Sequence, residues 1–315
     1  TTLGVPAACV PLIEWSLEHE WDDYFLGRFD FAGGLDGLPI RLIEFNADTA
    51  SLLPETAMLQ ALLTHKTGEP RQHLFRAIEE RLTAIRRRSS GFQPFLALAG
   101  LGHPDDRLNL EVIFRAARPA GFEEVVRHDL PDFIFDPGEG MFYESGPENF
   151  DRFDFWYKFI PWDWIAAEEP ELWQDLAKLV MGRKLKVLNP AWAMLLQSKA
   201  LLAELSPRLP YYLPAARTAA EFRDRRYVSK PIFGRMGENI TLYNGGTRPE
   251  ATTDGDFGDQ PLVYQGLADF NESPDGELTY QASVYFTDHP CALAFRRQDE
   301  WIIDDDAEFV AHVVD

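Results

Sequence analysis

The sequence predicts a mixed α/β fold, and three observations carry that prediction. A strand–helix–strand order over residues 95–135 gives a parallel pair, and from Tyr227 onward the pattern changes to short β-rich segments. Near the start, two alternating segments around a Gly-rich turn, Arg28-Phe-Asp30 and residues 40–48, give an antiparallel hairpin. With 315 residues the chain has room for one large domain or for several smaller ones sharing an interface.

The hairpin comes first. At a period of two, Arg28, Asp30, Glu44 and Asn46 fall on one face, while Phe29, Phe31, Ile43 and Phe45 fall on the other. Residues 49–64 and 71–88 read as helices, the second with Leu74, Ile78, Leu82 and Ile85 at helical spacing. It closes on Arg86-Arg-Arg88, where cations complement the helix dipole. Residues 95–99 read as a buried strand, 100–106 as a loop, then a helix through Arg118 and strands at 123–127 and 133–135. The 100–106 loop lacks the third glycine of a dinucleotide fingerprint, so no NAD site is predicted, and His103 reads as solvated. The aromatic-rich 150–164 stretch, with Ile160-Pro-Trp-Asp-Trp164, reads as packing between domains. Helices are predicted at 170–182 and 191–205, strands at 227–231, 240–243, 262–265, 278–286 and 291–295, and a mobile loop at 244–259.

A hydrophobic content of 45% with 13% aromatics marks a folded globular protein, and no apolar run is long enough to span a bilayer. The formal net charge of −21 argues against nucleic acid or an anionic membrane as partner, since both need a basic footprint. Two cysteines and no signal-peptide pattern in the first ten residues make a reducing cytoplasm the simplest location.

Chemistry concentrates in two places. An alternating strand normally carries polar residues to solvent, but acids and amides facing one another on adjacent strands need a cation to satisfy them. Asp30, Glu44 and Asn46 supply the oxygens that suit magnesium completed by substrate phosphates, and Arg28 suits a phosphoryl oxygen. The second place is the stretch from Lys230 to Asn239, a lysine at a strand end followed by a turn bearing Gly234, Arg235 and Gly237. Glycines let backbone N–H groups approach an anion, so this reads as a phosphate flap, although hairpins use the same glycines for positive φ. Lys199 reads as a solvated helical lysine, Gln265 as an amide that reads adenine or satisfies the backbone, and Arg296 as a phosphate neutraliser.

Taken in order, Arg28-x-Asp30, Glu44-x-Asn-x-Asp-Thr49, Ser198-Lys199, Lys230-Pro-Ile-Phe-Gly-Arg-x-Gly237 and the Arg296 strand resemble the glutathionylspermidine synthase family, over nearly the whole chain. The resemblance implies an ATP-grasp ligase that joins a carboxylate to an amine through an acyl phosphate, of the stand-alone type without an amidase domain. It implies that Asp30, Glu44 and Asn46 ligate two magnesium ions and that Arg28 and Arg296 assist phosphoryl transfer. Lys199, Lys230, Gly234, Arg235, Gly237 and Gln265 would then hold ATP, with Thr49 and Ser51 on the substrate. A carboxylate, an amine such as a polyamine, and a homodimer partner follow as expectations. It also implies four stretches: 1–60 with the metal hairpin, 61–185 as a Rossmann-like substrate unit, 186–260 as the lid with its flap, and 261–315 completing the core.

The sequence departs from the family pattern in three ways. Asp48-Thr-Ala-Ser51 stands where Asp-Thr-Pro-Thr is usual, Met236 follows the flap arginine where an acid is common, and the chain begins inside the pattern, short of an N-terminal helical portion. Two other activities fit the same residues, an ATP-binding protein without ligase activity and an ATP-grasp phosphotransferase.

Overall fold

The hairpin is the edge of a larger sheet whose other strands come from the far end of the chain. In the computed structural model, which describes all but residues 1, 65–73, 207, 300, 301, 305, 314 and 315, Gly27–Ala32 and Arg41–Asn46 pair antiparallel. Arg28 lies opposite Asn46 and Asp30 opposite Glu44. Strand Thr279–Phe286 pairs on the other side of Gly27–Ala32, followed by Pro290–Gln298 and Glu308–Val310, and every pairing in this central sheet is antiparallel.

A second sheet is wholly parallel, in the order Glu124–Asp129, Phe95–Gly100, Phe155–Lys158, Lys186–Leu188. Helix Pro104–Ala117 makes the crossover between its first two strands in sequence. The parallel pair is therefore as expected, whereas Phe133–Asp136 opens a separate antiparallel meander with Gly140–Gly146 and Asn149–Phe153. The third large sheet carries the flap: Ala215–Ala216, Leu262–Gly266, Arg226–Pro231, Thr241–Asn244 and Pro249–Thr252, in that order.

Several elements differ from expectation for local reasons. Helix Val10–His19 was not read from the sequence; Pro11 looks like a breaker but sits in the first turn, where its missing N–H costs nothing. The 49–64 segment is irregular as far as Leu52, whose φ is 64°, then forms a π-helical turn Glu55–Leu59 and a short helix Gln60–Thr64. The helix expected from 71 is described as Leu74–Arg88, and residues 71–73 lie outside the described residues. The 191–205 helix is two helices, Ala193–Gln197 and Ala200–Leu205, because the Lys199 amide turns away to donate to the Ile232 carbonyl at 2.8 Å. The 244–259 stretch contains strand Pro249–Thr252 instead of running as a loop throughout.

Two large apolar cores hold the molecule together. One gathers Trp156, Trp162, Trp173 and Trp192 with Leu12 and Ile13 of the N-terminal helix. The other joins helices Leu74–Arg88 and Pro104–Ala117 to the parallel sheet and to Tyr285, Ala292 and Ala294 of the central sheet. The flap sheet carries a smaller cluster around Phe222 and Tyr227, and another, around Leu213 and Ala268, packs against Ala32 and Ile43 of the hairpin. No helix among the described residues is long and apolar enough to cross a membrane.

Candidate active site

The register of the central sheet stacks its polar side chains in rows on one face. Asn46, Arg28 and Tyr285 form one row, and Glu44, Asp30 and Ser283 the next. Gln281 and Arg296, opposite each other, extend it. This is the buried face: Arg28 is 5% exposed and Asp30 1%, while Phe29 and Phe45 stack on the half-buried side at 3.8 Å between ring centroids. The solvated-hairpin interpretation of these residues is thereby excluded.

Every oxygen of Asp30 is engaged. Arg28 donates to both, Nε to Oδ1 at 2.8 Å and a terminal nitrogen to Oδ2 at 2.9 Å, while Ser283 Oγ donates to Oδ1 and Asn46 Nδ2 to Oδ2. Burial works against the Arg28 charge, and the paired Asp30 more than restores it, so the guanidinium stays protonated. Its remaining nitrogen holds the Ser51 carbonyl and hydroxyl, each at 3.1 Å. Ser51 thus reaches the site, whereas Thr49 lies half-buried further back on the same connection.

The cationic side faces Glu44. Lys199 Nζ stands 3.2 Å from Glu44 Oε2 and donates to the Gly234 carbonyl at 2.6 Å. Lys199 is 7% exposed, so it is not the solvated lysine its helical setting suggests. Burial opposes the Glu44 charge, yet Lys199 and Lys230 hold its carboxyl at about 2. Lys230 donates to Gln265 Oε1 at 2.9 Å, and its own burial pulls it down to about 8. Gln265 donates in turn to the Ile43 carbonyl at 3.2 Å, so its amide satisfies the hairpin backbone and fixes Lys230. Arg296 reaches the Asp304 carbonyl at 3.3 Å, but its buried Nε has no partner; burial and then the Arg28 charge lower its proton affinity.

Between these groups lies a cleft of about 770 Å³, counted out to open solvent. The flap turn covers it, left-handed at Met236 (φ 52°) and Gly237 (φ 73°), and a Cβ at Gly237 would meet the Ile303 carbonyl at 3.0 Å. Lys199, Lys230, Gly234, Arg235, Gly237, Gln265, Glu44 and Arg296 all line it, together with Leu213, Val228, Leu267 and Ile303. A lining that mixes apolar and cationic side chains suits a nucleotide. Arg235 is additionally ion-paired with Asp163, in the Pro-Trp-Asp-Trp segment.

A family model described as glutathionylspermidine synthase preATP-grasp matches residues 1–315. The chain belongs to the glutathionylspermidine synthase preATP-grasp family. It is 28% identical to a Haemophilus influenzae protein described as an acid–amine ligase, covering 96% of this chain and 77% of that one. It is 26% identical to trypanothione synthetase from Crithidia fasciculata, over 80% of this chain and 42% of that one. Identity is 23% to the bifunctional glutathionylspermidine synthetase/amidase of Escherichia coli, over 84% and 45%. The chain therefore spans less than half the length of these last two relatives. Among solved structures, a glutathione synthetase-like effector from Globodera pallida matches with a TM-score of 0.59 at 9% identity, over 98% of this chain and 80% of that one. A Methylobacillus flagellatus protein described as a gamma-glutamylcysteine synthetase matches with a TM-score of 0.55 at 13% identity, over 99% and 88%. Membership in the synthase family and these neighbours make the fold an ATP-grasp one and the chain a carbon–nitrogen ligase of that kind.

On this face the residue types fit a hard cation. Asp30, Glu44 and Asn46 give two carboxylates and a carboxamide, a set too small to enclose an ion and suited to one that keeps waters and takes phosphate oxygens. Among the described residues no three His, Cys, Asp or Glu side chains gather into a cluster that could hold a metal. Sequence reading missed Ser283, Tyr285 and Asp163. Gln281, Ser283 and Tyr285 alternate along one strand, and that period of two was the available signal.

Proposed function

We propose that the chain condenses a carboxylic acid with an amine at the expense of ATP, through an acyl phosphate. The observation that carries this is the one sheet face that sets Arg28, Asp30, Glu44, Asn46 and Arg296 side by side, with Glu44 and Arg296 lining the cleft under the flap. Phosphoryl transfer needs position and charge neutralisation more than a protein nucleophile, and this face offers both.

In the reaction a carboxylate oxygen of the acid attacks the γ-phosphorus of ATP and ADP leaves; the amine then attacks the acyl carbon and phosphate leaves. Lys199 and Lys230 hold the α- and β-phosphates, and the flap turn from Gly234 to Gly237 covers them. Arg28 neutralises the transferring phosphoryl group from the hairpin side and Arg296, with its free Nε, from the opposite strand. Asp30, Glu44 and Asn46 would hold magnesium, which would supply Lewis-acid neutralisation of phosphate charge there. Ser51, fixed by Arg28, marks where the acid lies. The four stretches 1–60, 61–185, 186–260 and 261–315 divide these tasks as hairpin, substrate unit, lid and core.

The test is ADP release with Mg-ATP over a matrix of carboxylates and amines that begins with glutathione and spermidine, with mass spectrometry of the products. ADP is expected only where acid and amine are both present, alongside a product weighing their sum less one water. ADP formed with a phosphorylated acceptor and no amide would replace the ligase with a phosphotransferase. ATP binding with no acceptor-dependent turnover would leave a nucleotide-binding protein.

A further inference from the structure

An acyl phosphate is open to attack by water, so a ligase that makes one gains by closing over nucleotide and acid together. We propose that Asp163 and Asp48 are positioning residues that couple closure of the flap to the order of residues 47–51, an inference that rests on the ligase reading above.

The connection is continuous from one end to the other. In the flap, Arg235 is ion-paired with Asp163 and its guanidinium lies over the Phe257 ring, 5.6 Å from the centroid. The turn is braced from behind: Thr253 Oγ1 donates to the Gly237 carbonyl at 2.6 Å and the Phe257 amide to Asn239 Oδ1 at 2.7 Å, so Arg235 belongs to a stiff unit. Asp163 stands in the first turn of helix Trp162–Glu168, and the amide of its neighbour Trp162 donates to Asp48 Oδ2 at 2.6 Å. Asp48 Oδ1 accepts from the Lys158 ammonium at 2.6 Å. That ammonium also donates to the Ile160 carbonyl at 3.0 Å and lies over the Trp162 ring, 4.6 Å from the centroid. Residues 158–163 thus reach the flap through Asp163 and the hairpin exit through Asp48, three residues before the Ser51 that Arg28 fixes.

Burial makes this link responsive to charge. Asp48 is 1% exposed and Lys158 0%, so neither can trade its partner for water without leaving a buried ion. Burial raises the Asp48 carboxyl above its ordinary range and lowers the Lys158 ammonium, and each partner works against that effect on the other. Asp163 adds to the rise at Asp48, and at Lys158 the charges of Asp163 and Arg235 oppose one another. With the flap down, Arg235 compensates Asp163. With the flap lifted, Asp163 is a bare carboxylate that disfavours ionised Asp48 and competes for Lys158. The hold on Asp48 therefore tightens as the flap closes.

Hydrogen exchange read by mass spectrometry, with and without Mg-AMP-PNP, checks the coupling without any turnover. In wild type the analogue is expected to slow exchange across residues 234–239 of the flap and, by about tenfold, at residues 47–52 and the Trp162 amide. Asp163→Asn at saturating analogue is expected to keep the slowing in the flap and to lose it at residues 47–52 and Trp162. Arg235→Ala breaks the same pair from the flap side and should lose it too, whereas Arg235→Lys, which keeps a cation for Asp163, should retain part of it. Equal slowing of residues 47–52 in Asp163→Asn and wild type would overturn the coupling, as would a protected flap in wild type with no slowing at those residues. Loss in the flap as well in Asp163→Asn would also overturn it, since the pair would then act on the flap alone. A flap that the analogue leaves unprotected in wild type would take the nucleotide out of the cleft and strike the ligase reading itself.

Discussion

Lys199 and Lys230 show how far single residues could be read. The Gln-Ser-Lys-Ala-Leu setting of Lys199 is that of a surface helix, and nothing in its spacing reveals that the helix breaks there and turns the ammonium onto Glu44. Gln265 sat between two alternatives, and the fold sets its amide against the hairpin backbone while keeping it in the cleft lining. Lys230 was legible because it ends a strand ahead of a Gly-bearing turn, but its weakened basicity comes from burial that only the fold creates. That weakening makes a prediction. Phosphate oxygens favour the charged lysine, so nucleotide affinity is full below the free-protein value of about 8 and falls as pH rises through it. The Kd of Mg-ATP should rise by up to about tenfold per pH unit above 8, and Lys230→Arg should flatten the profile. A profile already flat in wild type would remove Lys230 from the phosphates.

The hairpin was the most legible element, since alternation, turn composition and pairing all agreed with the structure. What alternation alone could not say is which face is buried. The polar face is interior because the register brings Ser283, Tyr285 and the Arg296 strand alongside, and those neighbours lie about 250 residues away in sequence. The flap was equally plain as a turn, yet its tether was not, because Arg235 and Asp163 are joined only by folding. Largely shielded from water, that pair should be worth more than an exposed one. Asp163→Asn is expected to raise the KM for ATP by about tenfold, or about 1.4 kcal/mol, with kcat little changed. Steady-state kinetics would decide, and an unaltered KM would mean that the tether does not hold the flap closed.

For the molecule as a whole, the ATP-grasp arrangement was legible through an ordered set of motifs, and the parallel unit through its strand–helix–strand order. How the two join was not, because a buried amide that bridges them meets its partners only on folding. Asn189 accepts from the Phe25 and Leu26 amides and donates to the carbonyls of Leu26, Ala47 and Asp48, so it stitches the end of the parallel sheet to both ends of the hairpin. Asn189→Ala strands several buried backbone groups and should cost about 3 kcal/mol, read as a lower urea midpoint; a shift under about 1 kcal/mol would show that water takes over the bonds. The large cores carry a different lesson. Because one of them runs unbroken from the crossover helix into the central sheet, those two parts cannot swing against each other without opening apolar interior to water. Among the described residues the flap region enters these cores only through Ile232 and Phe233. Those two side chains are therefore the natural pivot: when the flap turn lifts to admit a nucleotide, the Lys199 and Arg235 tethers let go, while the hairpin and the Arg296 strand stay fixed in the central sheet.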